Sequence, residues 1–141
     1  MQGKLVWSVF WALVGVFVIV VGMIFIPPAM RLLMPVGFLP AIFLPAIVVF
    51  VLLGMALLFL TVKTKVRGIF KKFLLLTGAS AVGLPVFVLL HNVVSGLFNI
   101  EEPVFFIMAT IVCPIGFLVG AVGTIVLAIK SKQVKQSSQN S

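Results

Sequence analysis

Ten consecutive residues in the middle of the chain, Lys63 to Lys72, read KTKVRGIFKK and hold five of its ten basic side chains. Long apolar runs flank this stretch on both sides. Lys or Arg at the centre of a bilayer costs about 2.5–3.5 kcal/mol per residue on insertion scales. The stretch must therefore stay in water, and it divides the chain into two greasy halves.

The halves cannot be parts of an ordinary water-soluble domain. Hydrophobic residues make up 63% of the 141-residue chain and charged residues 9%, against about 45–50% and 25% in soluble domains. The length suits one small membrane domain and no separate soluble one. A net charge of +8 is then read as a topology signal facing anionic lipid headgroups, not as a nucleic-acid footprint. Lys63, Lys65, Arg67, Lys71 and Lys72 are the headgroup-facing set.

Four spans follow from the charge-free runs. Leu5 to Ile26 is the first, 22 residues or about 33 Å of helix. Its apolar core is longer than the ~7–15 residues of a signal peptide and no small-residue cleavage site follows, so it reads as a retained helix. Trp7 and Trp11 sit one turn apart near its start, as interfacial aromatics do. Pro27 to Pro40 is a proline-rich connector with one charge, Arg31, and an expected short turn of helix at Ala29 to Met34. Ala41 to Val62 is the second span, with Pro45 in its first turn, where a missing N–H costs little. Phe73 to Phe98 is the third and most polar span, with a kink expected at Pro85. Asn99 to Glu102 form an acidic turn, and Pro103 occupies a first helical position. Val104 to Ile129 is the fourth span, and residues 130–141 read as a polar, disordered cytoplasmic tail.

The charge count sets the threading. Lys4, the five central charges, Lys130, Lys132 and Lys135 fall on one side; Arg31 and both glutamates fall on the other. The positive-inside rule places the larger set in the cytoplasm. The expected fold is all-α: four transmembrane helices in two hairpins in the cell membrane, with N- and C-termini cytoplasmic.

Lipid supplies no hydrophobic force between helices, so small residues at helical spacing mark contact faces. Ala109, Cys113, Gly116, Gly120 and Gly123 are spaced 4, 3, 4, 3 and fall within an arc of roughly 100°. Ser8, Ala12, Gly15 and Gly22 repeat the pattern more weakly on the first span. The two stripes suit each other, or a second protomer; spacing alone leaves both open. On the third span Thr77, Ser80, His91 and Ser95 fall within about 60°, a polar face expected to point away from lipid.

Chemistry-bearing residues are few. His91, Asn92, Glu101 and Glu102 lie on one short outer stretch, where a cleft with Thr77, Ser80 and Ser95 would hold a cation or a proton. The plainer reading has His91 and Asn92 bonded to helix carbonyls or interfacial water and the glutamates at the start of the fourth span. The lone Cys113 excludes an internal disulfide or a CxxC motif, and one Cys with one His makes no zinc site. No Ser/His/Asp set and no phosphate-binding glycine loop is present, so neither an enzyme nor a cofactor is expected.

In size and span number the chain is similar to small multidrug-resistance exporters and to dual-topology fluoride channels. The exporters need an acidic residue in the first span, which Leu5 to Ile26 lacks. The channels rest on a weak charge bias, where this chain's bias is nine to one. Neither resemblance carries residues over. The expected function is that of a non-catalytic accessory or assembly subunit acting through helix association, with a membrane-protein partner or a second copy. The alternative is a subunit of a small oligomeric channel or transporter whose path is lined by the polar face of the third span.

Overall fold

The computed structural model describes residues 2–24, 38–101 and 103–140. It is all-helical: α1 is Gln2–Ile24, α2 Phe38–Lys63 and α3 Ile69–Phe98. The last helix, α4, spans Pro103–Gln139. All four are long and apolar enough to cross a membrane. The expected turn at Ala29 to Met34, Arg31 and Glu102 lie outside the described residues.

The breaks between helices have local causes. Thr64 closes α2, its amide and its hydroxyl both bonded to the Leu60 carbonyl. Gly68, at φ 80°, then turns the chain into α3, a backbone angle that glycine adopts without a Cβ clash. Asn99, at φ 52°, ends α3 in the left-handed conformation that asparagine tolerates among non-glycine residues.

Three boundaries differ from the sequence expectation. The interruption at the basic stretch is short: Lys63 ends α2, and Lys71 and Lys72 stand in the first turn of α3. α2 begins at Phe38, so Pro45 lies two turns inside the helix instead of in its first turn. α4 continues past Ile129 to Gln139, where a disordered tail was expected. Its Lys and Gln residues are good helix formers, and no Gly or Pro interrupts the segment.

A second feature of α4 was not expected. Residues Met108–Val112 form a π turn, in which the Cys113 amide bonds to the Met108 carbonyl. Pro114 follows directly. Proline brings no N–H and its ring crowds the carbonyl four residues back, so the preceding turn widens to five-residue bonds. α3, in contrast, runs unbroken through Pro85.

Consecutive helices pack together, α3 against α4 most extensively, then α2 against α3 and α1 against α2. Gly54 approaches Val82, and Gly78 approaches Leu58. Gly83 faces Cys113, and Gly120 faces Phe73 and Thr77. Positions rising along one helix meet positions falling along the next, so α2, α3 and α4 run in alternating directions. The buried centre is formed by Phe10, Leu13, Phe50, Leu57, Leu74 and Phe117 with smaller neighbours.

α1 reaches α4 through rings. Phe17 stacks on Phe117 at 4.1 Å between centroids, and Phe50 of α2 lies 6.0 and 5.8 Å from the two. This triangle ties three helices together at mid-length. Each such aromatic pair contributes ~0.5–1.5 kcal/mol beyond its buried area.

The outer surface is apolar along all four helices. Leu44, Leu52, Phe59, Leu89, Leu97 and Val122 are all exposed, Leu97 by 75%. In water an apolar surface this continuous would drive aggregation. In hydrocarbon it is the matching solvent face. The chain is a small multi-pass helical protein whose surface fits a membrane.

Candidate functional site

The candidate residues separate into a buried seam, a cavity at the C-terminal end of α3 and a basic end. The seam joins α3 to α4. Ala109 and Cys113 are buried, and the three glycines below them each lie against α3. A Cβ added to Gly116 would meet Ser80 Oγ at 2.5 Å. One on Gly123 would meet the Phe73 ring at the same distance. One on Gly120 would run into Thr77 Oγ1 and lie 2.8 Å from the Thr77 amide nitrogen and 3.0 Å from the Phe73 carbonyl oxygen.

The α4 stripe thus meets the half of the α3 polar face nearer the basic stretch, Thr77 and Ser80. Thr77 is fully buried and its hydroxyl donates to the Phe73 carbonyl at 2.9 Å. Thr124, beside the stripe, donates likewise to the Gly120 carbonyl at 2.8 Å. Both hydroxyls are satisfied within their own helices, and the glycines let the two backbones close over them.

The cavity lies at the other end of α3. His91, Ser95 and Glu101, with Pro103 and Phe106, line a space of about 470 Å³. The His91 ring lies 5.6 Å from that of Phe106. Ser95 Oγ is buried and has no hydrogen-bond partner. Asn92 does not join them: it is exposed, and its Nδ2 donates to the Val88 carbonyl of its own helix at 2.8 Å. Thr77 and Ser80 are in the seam. The seven residues of the expected polar cleft are therefore split, with one of them, Glu102, outside the described residues. Among the described residues no three His, Cys, Asp or Glu side chains gather as metal ligands. One imidazole, one hydroxyl and one exposed carboxylate can hydrogen-bond a small polar guest.

At the basic end Lys63, Lys65, Arg67 and Lys72 are exposed and Lys71 is half-buried. Lys63 folds back so that its Nζ lies 5.3 Å from the centre of the Phe59 ring, a long apolar stem carrying its charge to the helix end. Glu101 follows α3 at its far end, about 45 Å away along a 30-residue helix.

Two features had no counterpart in the sequence reading. One is the α2–α3 crossing, where a Cβ on Gly54 would lie 3.1 Å from Ala81 Cβ and 3.4 Å from the Gly78 carbonyl. An isolated glycine in the otherwise bulky Ala41 to Val62 run was the available signal. The other is a group of cavities around Trp7 at the basic end, for which the paired tryptophans of the first span were the signal.

No protein-family profile, no curated protein and no solved structure matches the chain.

Proposed function

We propose that this chain is an accessory or assembly subunit of the cell membrane that acts by helix association and carries out no catalysis. In this reading its four helices cross the bilayer as two hairpins, with both termini and the basic stretch in the cytoplasm. The threading rests on the nine-to-one distribution of Lys and Arg.

The observation that carries the reading is the state of the two small-residue stripes. The α4 stripe is consumed inside the chain, against Phe73, Thr77 and Ser80. The α1 stripe is open. Ser8, Ala12, Gly15 and Gly22 are exposed, and a Cβ at Gly15 or Gly22 would touch nothing within 4 Å. At about 100° per residue these four lie opposite Val6, Phe10, Leu13 and Phe17, the residues by which α1 holds the core. A face of small residues turned away from the core lets another helix approach closely.

The channel reading is less well supported. Its path would need Thr77 and Ser80 open to water, and within one chain the α4 glycines cover them.

The test is crosslinking in native membranes by a photoactivatable reagent attached to a single introduced thiol, with Cys113 replaced by alanine. Gly15→Cys is expected to give a covalent adduct, to a second copy or to another membrane protein. Val122→Cys, exposed on α4, is expected to give none. Equal yields at the two positions, or none at Gly15, would reject association through α1.

A further inference from the structure

We infer that the basic end holds a seat for one anionic phospholipid, between α1, the start of α3 and the last turns of α4. The inference depends on the four-span threading and not on what α1 binds.

A cavity of about 700 Å³ lies where the three helices diverge. Trp7, Phe70, Leu127 and Ala128 give it apolar walls, while Ser131 and Lys132 supply a hydroxyl and an ammonium group. A second cavity, of about 400 Å³, shares Trp7, Ala128 and Lys132 with the first and continues past Trp11, Ile125 and Ile129. From Lys132 to Ile125 is seven residues, about 10 Å of helix towards the middle of the span. The pair therefore makes one groove, charged at the membrane surface and apolar below it. α1 and α4 leave this space because they meet through the Phe17–Phe117 stack and not along their backbones.

Charge complementarity selects the occupant. Lys4 lines the adjoining cavity with Trp7 and Phe70, and Lys71 and Lys72 follow in the first turn of α3. That turn carries no acidic residue and no side-chain cap, so the positive helix end adds to the same field. The basic end of a second copy would meet this one with like charge. A soluble anion would leave the apolar walls unfilled. A phospholipid answers both: its phosphate lies beside Lys132 and Ser131, and an acyl chain runs along Trp11, Ile125 and Ile129. Trp11 and Ile129 are each 54% exposed, so the groove is open sideways to the lipid.

Trp7 and Trp11 are the chain's two tryptophans, and both line the groove, so their fluorescence reports its contents. The protein is reconstituted in phosphatidylcholine vesicles doped with either phosphatidylglycerol or phosphatidylcholine carrying brominated acyl chains. Phosphatidylglycerol is expected to quench at lower mole fraction. Lys132→Gln should reduce that preference about five-fold, the effect of one basic side chain near a membrane surface. Lys135→Gln removes the same charge from the same helix outside the groove and should keep the preference. Inorganic phosphate in excess should not relieve quenching. Equal quenching by the two lipids, equal losses in the two lysine variants, or relief by inorganic phosphate would each overturn the assignment.

Discussion

Gly120 and Thr77 bring α4 and α3 together backbone to backbone: a Cβ on Gly120 would stand 2.8 Å from the Thr77 amide nitrogen. The Phe73 carbonyl oxygen, 3.0 Å from the same point, already accepts the Thr77 hydroxyl. Neither atom can move without moving a turn of α3.

Gly120→Ala should therefore destabilise the fold by ~1–3 kcal/mol, the usual cost of overpacking, despite the better helix propensity of alanine. Gly116→Ala should cost less, because the atom it meets, Ser80 Oγ, sits on a rotatable side chain. Gly15→Ala meets nothing and should leave monomer stability unchanged or raise it. Unfolding by denaturing detergent, followed by tryptophan fluorescence, orders the three. A Gly120→Ala protein as stable as Gly15→Ala would show that α3 and α4 are further apart.

Cys113 is buried, with its Sγ facing Gly83. A membrane-permeant maleimide should leave it unmodified in the folded protein and modify it fully after denaturation. Rapid modification of the native state would mean that the seam opens. The same burial makes Cys113 unsuitable for intermolecular crosslinking, although its sequence position in a small-residue stripe invites that use.

The four spans were readable because charge-free runs longer than 20 residues have few alternatives in lipid. The α4 stripe was readable as a contact face, since five small residues at a helical period are poor lipid-facing surface. Its partner was not. Periodicity gives the direction a helix faces within itself, and the pairing of Gly120 with Thr77 depends on how four helices share space. The Gly54–Gly78 crossing was missed because one glycine in a bulky helix has no period. The π turn was missed because the effect of Pro114 depends on whether neighbouring helices accommodate a wider turn. His91, Ser95 and Glu101, three of the seven residues expected in one cleft, line the same cavity. Asn92, one residue from His91, turns about 100° away on the helix and leaves the group.

If α1 associates through its open stripe, bulk on that stripe should interfere. Gly15→Leu is expected to lower adduct formation from a cysteine placed at Ala12 by about tenfold or more, equivalent to ~1.4 kcal/mol or above. Thermal unfolding of the isolated chain should not fall to lower temperature, because a Cβ at Gly15 touches nothing within it. Undiminished adduct formation would move the contact to another face.

Threading is open to a direct check. With Cys113 replaced, single cysteines at Gly3 and Lys65 should resist an impermeant maleimide in intact cells and react in inverted vesicles. One at Ile100, exposed in the α3–α4 turn, should do the reverse. Gly3 and Lys65 on opposite faces would remove one of the first two spans.

Thr61 is fully buried in α2, and its hydroxyl has no hydrogen-bond partner. A buried polar group left unpaired costs ~1–3 kcal/mol, and valine has nearly the same outline without the polar group. Thr61→Val should therefore raise stability by about 1 kcal/mol or more. Thr124 is the comparison: it is equally buried, but its hydroxyl is bonded to the Gly120 carbonyl, so Thr124→Val loses a made bond and should be neutral or destabilising. Measured side by side in denaturing detergent, the first substitution should stabilise and the second should not. A Thr61→Val protein weakened as much as Thr124→Val would mean that the Thr61 hydroxyl is satisfied in the membrane, by a water or a neighbouring chain reaching the Lys63 end of α2.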